Sequence, residues 1–230
     1  METCSHGRHS RSLFVGLFVS IFVFSLASAQ NGVPDLSGVW IATPQGGGGG
    51  MRARPRITAA AREVMDEFDL LVDDPGYECS PSSLSRVWGN PTPSEIEQLD
   101  DRVILRHEFM DVVRTIYLDM GDVPADRLPN VVGHSMGRYE GRSLVVETTG
   151  FAKSYISPIN GIPQTENLSA VEQLTLSEDG GILEVQLTYS DLTTFEVPWV
   201  ITRTYRRAPD IELLEYGCVL EDAGYKDFNP

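Results

Sequence analysis

From Leu99 onward the chain reads as short runs of alternating apolar and polar residues separated by turn signals. That rhythm limits the fold more than any other feature of the sequence. Side chains along a strand alternate between its two faces. Leu183, Val185, Leu187 and Tyr189, interleaved with Glu184, Gln186 and Thr188, therefore mark a strand with one face on a core and one in water. Arg102–Phe109 and Asp111–Asp119 are expected to form an antiparallel pair. Two further strands flank Glu140-Gly141-Arg142, the first ending on Tyr139 and the second starting at Ser143. Leu168–Leu176 and Ile182–Tyr189 flank Glu178-Asp179-Gly180-Gly181, the strongest hairpin signal in the chain. Trp199–Arg206 and Glu212–Val219 complete the set. Sequential hairpins without a βαβ rhythm predict an all-β protein, either an up-and-down barrel or a strongly curved antiparallel sheet.

Ahead of these strands the signals are sparser. Asp35 to Trp40 reads as a short strand, and Thr58 as the N-cap of one N-terminal helix over Ala59–Leu71. Its apolar face is expected to be Val64, Phe68 and Leu71, at i, i+4 and i+7. Asp73-Asp74-Pro75-Gly76 stops it, and Glu78–Pro93 reads as irregular chain, with Cys79 and Trp88 held against the core. The Gly46–Gly50 run, within a flexible arm over 45–51, lacks the Lys-Ser/Thr ending of a phosphate loop, since Met51-Arg52 follows it.

Residues 1–29 have the form of a secretory signal. Arg8 and Arg11 precede an apolar stretch over Leu13–Leu26, and Ala27-Ser28-Ala29 makes a small-residue cleavage site before Gln30. Residues 30–230 are then one domain of about 200 residues, expected to be periplasmic or extracellular without membrane insertion. A net charge of −15, from 33 acidic and 18 basic residues, would repel phosphates and argues against nucleic acid as a partner. After cleavage two cysteines remain, Cys79 and Cys218. In an oxidising compartment a disulfide is the expected state, with two buried thiols as the alternative.

Gly133–Phe151, GHSMGRYEGRSLVVETTGF, resembles the G-H-S-x-G-R-W-E-G-D-T-L-V-V hallmark of a family of exported bacterial proteins. The likeness extends to Asp35–Trp40, Asp74–Cys79, Pro163–Glu166, Val197-Pro198-Trp199 and Glu215–Cys218. That family has no established activity, so the resemblance implies export and a shared fold, not a reaction. Tyr139 stands in place of the hallmark Trp, Arg142 in place of Asp, and Gln164 where relatives carry His. The bacterial source it implies deprives the Asn167-Leu168-Ser169 sequon of meaning. Gly38-Val39-Trp40 also looks like the G-x-W start of lipocalin-like barrels, in which Arg203 or Arg206 would stack over Trp40. That resemblance implies a cavity for a small, partly apolar molecule.

Chemistry-bearing residues are few. His107 and His134 are the histidines beyond the leader, which excludes a three-histidine zinc site, and no metal or cofactor motif is present. Paired acids such as Asp73-Asp74 and Asp100-Asp101 lack the spacing of a calcium loop. His107 and Glu108 alternate on a strand and point apart; His134 and Ser135 do likewise, without a nucleophile elbow. Two functional readings follow. In the first, an exported binding protein uses Arg114, Tyr139, Trp199 and Tyr205 around a ligand in the barrel. In the second, a periplasmic lyase, isomerase or hydrolase uses His134 as general acid or base, with Glu166 or Asp191, or Glu172, as its carboxylate. A histidine that merely caps a carbonyl, and a structural envelope protein, are the plain counterparts. Arg114 faces solvent, or it is drawn inside to pair with an acid.

Overall fold

A computed structural model describes residue 1 and residues 32–44, 54–118 and 127–220. The expected leader and the Gly46–Gly50 run lie outside the described residues. The strands in chain order are β1 (Gly38–Ala42), β2 (Ser94–Gln98), β3 (Arg102–His107), β4 (Val112–Leu118), β5 (His134–Glu140), β6 (Ser143–Thr149), β7 (Ser154–Ser157), β8 (Ile162–Gln164), β9 (Ser169–Leu176), β10 (Ile182–Ser190) and β11 (Trp199–Arg207). Among the described residues nine of them close into a barrel, in the order β1-β2-β3-β4-β5-β6-β9-β10-β11 and back to β1. The β7–β8 pair forms a separate ribbon. The expected all-β barrel is therefore the fold.

Nine is an odd number, and strict alternation of strand direction cannot close an odd ring. One neighbouring pair has to run parallel, and it is β4–β5, with Ile116 opposite Ser135 and Leu118 opposite Gly137. The other neighbouring pairs around the ring are antiparallel. The up-and-down expectation thus fails at this single step. A Cβ at position 137 would stand 2.6 Å from Ile116 Cγ2, so the close approach of β5 to β4 requires Gly137.

Closure at β1–β11 uses a different device. Trp40 is fully buried and donates its indole N–H to the Leu36 carbonyl at 2.9 Å. The register sets Trp40 opposite Arg207, whose guanidinium lies 4.5 Å from the indole ring. It also donates to the carbonyls of Ser37, Asp35 and Gly180. This corrects the expectation of Arg203 or Arg206: side-chain parity sends Arg206 to solvent, and Arg203 lies buried further along the strand. Gly38 has φ +111°, and a Cβ there would meet Arg207 Nη1 at 3.3 Å.

The helical part departs most from expectation. The helix α1 (Ala59–Glu67), capped by Thr58, breaks at Phe68 with ψ 125°, and a short α2 (Leu70–Asp73) follows behind its own cap, Asp69. Ala61 and Met65 face the core, whereas Val64 and Leu71 are exposed. Asp69 and Asp73 favour a second cap over continuation, which shifts the buried face. The supposedly irregular Glu78–Pro93 contains α3 (Leu84–Gly89), capped by Ser83, which buries Leu84, Val87 and Trp88. The strand β2 precedes Leu99 and was not signalled by alternation.

Glu212–Val219 is not a strand. It crosses the surface as a strap, with the N–H groups of Leu214, Tyr216 and Gly217 donating to the carboxylates of Glu108 and Asp111. Cys79 and Cys218 are joined as a disulfide across 139 residues of sequence. None of the described residues beyond Ala208 is buried. Reduction should therefore free the strap without unfolding the barrel. A glutamate-specific protease should then cut faster at Glu212 and Glu215. The unfolding free energy measured in urea should fall by far less than the about 5 kcal/mol that chain entropy assigns to so long a loop.

Candidate functional site

Period-two alternation turns Arg114 of β4, Ser135 of β5, Thr148 of β6, Glu172 of β9 and Tyr205 of β11 into the barrel, all of them buried. Arg114 meets Glu172 through two parallel hydrogen bonds, Nη1 to Oε1 at 3.0 Å and Nη2 to Oε2 at 2.6 Å. Trp88 reaches in from α3 and donates its indole N–H to Glu172 Oε1 at 2.7 Å. Arg114 Nη2 also donates to Ser135 Oγ at 2.8 Å, and Ser135 lies 3.0 Å from Thr148 Oγ1. The two charged side chains are 2% and 0% exposed. Such a pair persists because both carboxylate oxygens and both Arg114 Nη groups are hydrogen-bonded; Arg114 Nε, also buried, has no partner among the described residues.

His107 extends the cluster. Its Nδ1 is 2.7 Å from Ser94 Oγ, and its ring stands edge-on to Trp88, with centroids 4.8 Å apart. Burial, reinforced by the nearby Arg114 charge, pushes its pKa down to about 3, so the ring is neutral. Tyr205 donates its hydroxyl to the Trp88 carbonyl and packs beside the indole, 5.3 Å between centroids. These side chains occupy the middle of the barrel, where a ligand chamber had been expected.

Open space lies instead at the mouth. A cleft of about 760 Å³ is bounded by α1, α3, the β7–β8 ribbon and inward-facing residues of β11. That is within the usual volume of small-molecule sites. Ile57, Met65, Ile156, Ile162, Trp199 and Ile201 form its apolar wall. Arg54, Arg62, Arg86 and Arg203 supply charge, and no Asp or Glu is among the described residues lining it. Arg62 also donates to the Ile57 carbonyl at 3.3 Å, and Arg86 lies 5.4 Å from the Phe109 ring.

The residues picked out from the sequence fall in different places. Trp199 lines the cleft. Arg114 and Tyr205 belong to the central cluster, and Tyr139 accepts a hydrogen bond from Gln98 Nε2 at 2.7 Å. His134, Glu166 and Asp191 are each held by other partners. His134 Nε2 donates to the Leu128 carbonyl at 2.8 Å, the capping role open to a histidine at a strand start. Glu166 is exposed, with Lys153 3.8 Å away. Asp191 lies in a different hollow from His134. Burial works against the Asp191 charge, but hydrogen bonds from Thr165, Thr193 and Thr194 outweigh it and hold the carboxyl below its ordinary range. The four arginines of the cleft were not recognised from the sequence as a group, Arg203 alone having been singled out, and for a different role. They come from one loop, two helices and one strand, so no local spacing connects them.

No known protein-family profile matches the chain, and no curated protein matches it in sequence. In structure it is similar to two variants of the fluorescent protein UnaG. These are 18% and 19% identical, with a TM-score of 0.36, 75% of this chain and 96% of that chain being covered. It is also similar to a secretary abundant heat soluble protein from Ramazzottius varieornatus, at 11% identity and a TM-score of 0.28, over 77% and 98% of the two chains. The topology described above defines the class: a closed, nine-stranded all-β barrel. Among the described residues no helix is long and apolar enough to cross a membrane.

Two predictions test the central cluster. Glu172→Gln strands the Arg114 guanidinium opposite a neutral amide and should cost about 3–5 kcal/mol in urea unfolding. The paired replacement Arg114→Met with Glu172→Met should recover most of that loss. The second concerns pH. His107 binds a proton far more weakly folded than unfolded, so its contribution to stability is present above about pH 6.5 and is lost as pH falls toward 3. Between about pH 6.5 and 5 the loss should be about 2 kcal/mol. The difference in unfolding free energy between the wild type and His107→Gln, measured across that interval, isolates it.

Proposed function

We propose that this is an exported binding protein that holds a small, partly apolar molecule in the cleft at the barrel mouth. The observation that carries the reading is the cleft itself, whose aliphatic and aromatic wall meets a few convergent polar groups at one end of a rigid barrel. Binding at the mouth differs from the chamber first expected, because Trp88 and the Arg114–Glu172 pair fill the centre. Export is supported by the form of residues 1–29 and by the Cys79–Cys218 disulfide. The enzymatic alternative gains no support from geometry, since His134 and Asp191 line separate hollows.

Native and denaturing mass spectrometry of protein exported by its own host test this directly. The denatured chain should begin at Gln30 and weigh two hydrogens less than the reduced sequence. The native ion should carry additional, releasable mass. A native ion free of any such mass, from protein never exposed to denaturant or detergent, would overturn the binding assignment.

A further inference from the structure

We infer that the ligand of this cleft is a single-chain amphiphile with an anionic head group, an inference that rests on the binding reading above. The chain as a whole is strongly acidic, at −15, yet this cleft gathers Arg54, Arg62, Arg86 and Arg203 and no lining carboxylate. Chance would favour the opposite sign. Guanidinium groups present planar, forked donors that match carboxylate and phosphate oxygens. Arg203 is 4% exposed, so its end of the cleft is shielded from water, where charge interactions are screened less. Facing these groups, Ile162 and Trp199 belong to an apolar wall that a hydrocarbon tail would cover. A cationic partner would meet like charge, and a purely apolar one would make no use of the guanidinium donors. Carboxylate and phosphate heads share the required chemistry.

Isothermal titration of the exported, delipidated protein distinguishes the possibilities. The probes are dodecanoate, dodecyl phosphate and dodecanol, each kept below its micellar concentration. At least one of the two anions should bind about tenfold or more tightly than the alcohol, the increment of a charge-assisted hydrogen bond. Which anion leads identifies the head group. Arg62 and Arg86 are surface or half-buried, so Arg62→Gln and Arg86→Gln should fold normally by circular dichroism. Each should reduce the preference for the anion over dodecanol by about tenfold. Arg106→Gln, whose partner is Glu97 on the barrel wall, should leave that preference unchanged. Equal binding of anion and alcohol would overturn the anionic assignment while leaving a binding protein. So would failure of all three probes if the native ion still carried releasable mass. Failure of all three, together with a ligand-free native ion, would remove both readings.

Discussion

The Arg114–Glu172 pair sets the terms for the rest of the molecule. Two opposite charges deep in a barrel cost more to desolvate than their attraction alone returns, unless their remaining donors and acceptors are satisfied. Satisfaction here is distributed over the fold: β4 supplies the cation, β9 the anion, β5 a hydroxyl, and α3 an indole N–H. The helix is only six residues long, too short to be stable by itself. It is fixed because Trp88 is needed inside and because Ser83 caps its first turn while donating to the Ile156 carbonyl. The pair therefore orders a plug as well as the barrel wall. His107, neutral beside Trp88 chiefly because it is buried, is held so by the same pair as well, since another cation next to Arg114 would be repelled.

Filling the centre moves the available space. With Trp88, His107 and Tyr205 packed around the ion pair, the open volume is displaced to the end where α1, α3 and the β7–β8 ribbon stand over β11. The ribbon is inserted between β6 and β9, which are neighbours in the barrel, so it leaves the ring without breaking it. The odd strand count is accommodated at the parallel β4–β5 step, and all other adjacent strands keep antiparallel pairing.

Much of the wall was legible because period-two alternation is a direct consequence of strand geometry. Ile182–Ser190 and the turn at Glu140–Gly141 show it plainly. Where several outcomes shared one local pattern, the reading failed. Ser94–Gln98 is a strand that holds only one large apolar residue, Ile96, so it offers almost no alternation. The helix over Leu84–Gly89 is shorter than two turns, and Glu212–Val219 is as apolar as a strand but finds its partners in two carboxylates. The site was harder still. Arg62 occupies a wet helix face and Arg203 an alternating strand, and only the closed barrel brings them to one cleft.

A cationic cleft on an acidic protein also decides how an anion would be captured. Over long distances the net charge of −15 opposes the approach of an anion. At physiological ionic strength that repulsion fades beyond about 8 Å, and inside that range the exposed Arg54 and Arg62 of the cleft would attract an anionic head. Contact with the apolar wall and with the shielded Arg203 end of the cleft would come last. Affinity would thus reside in slow release, with the tail supplying most of the binding free energy and the head group its selectivity. The surrounding acidity adds a second effect: free anions without a tail gain little at the cleft and are repelled from the rest of the surface. On the reading proposed above, the protein would discriminate by requiring both parts of the ligand at once.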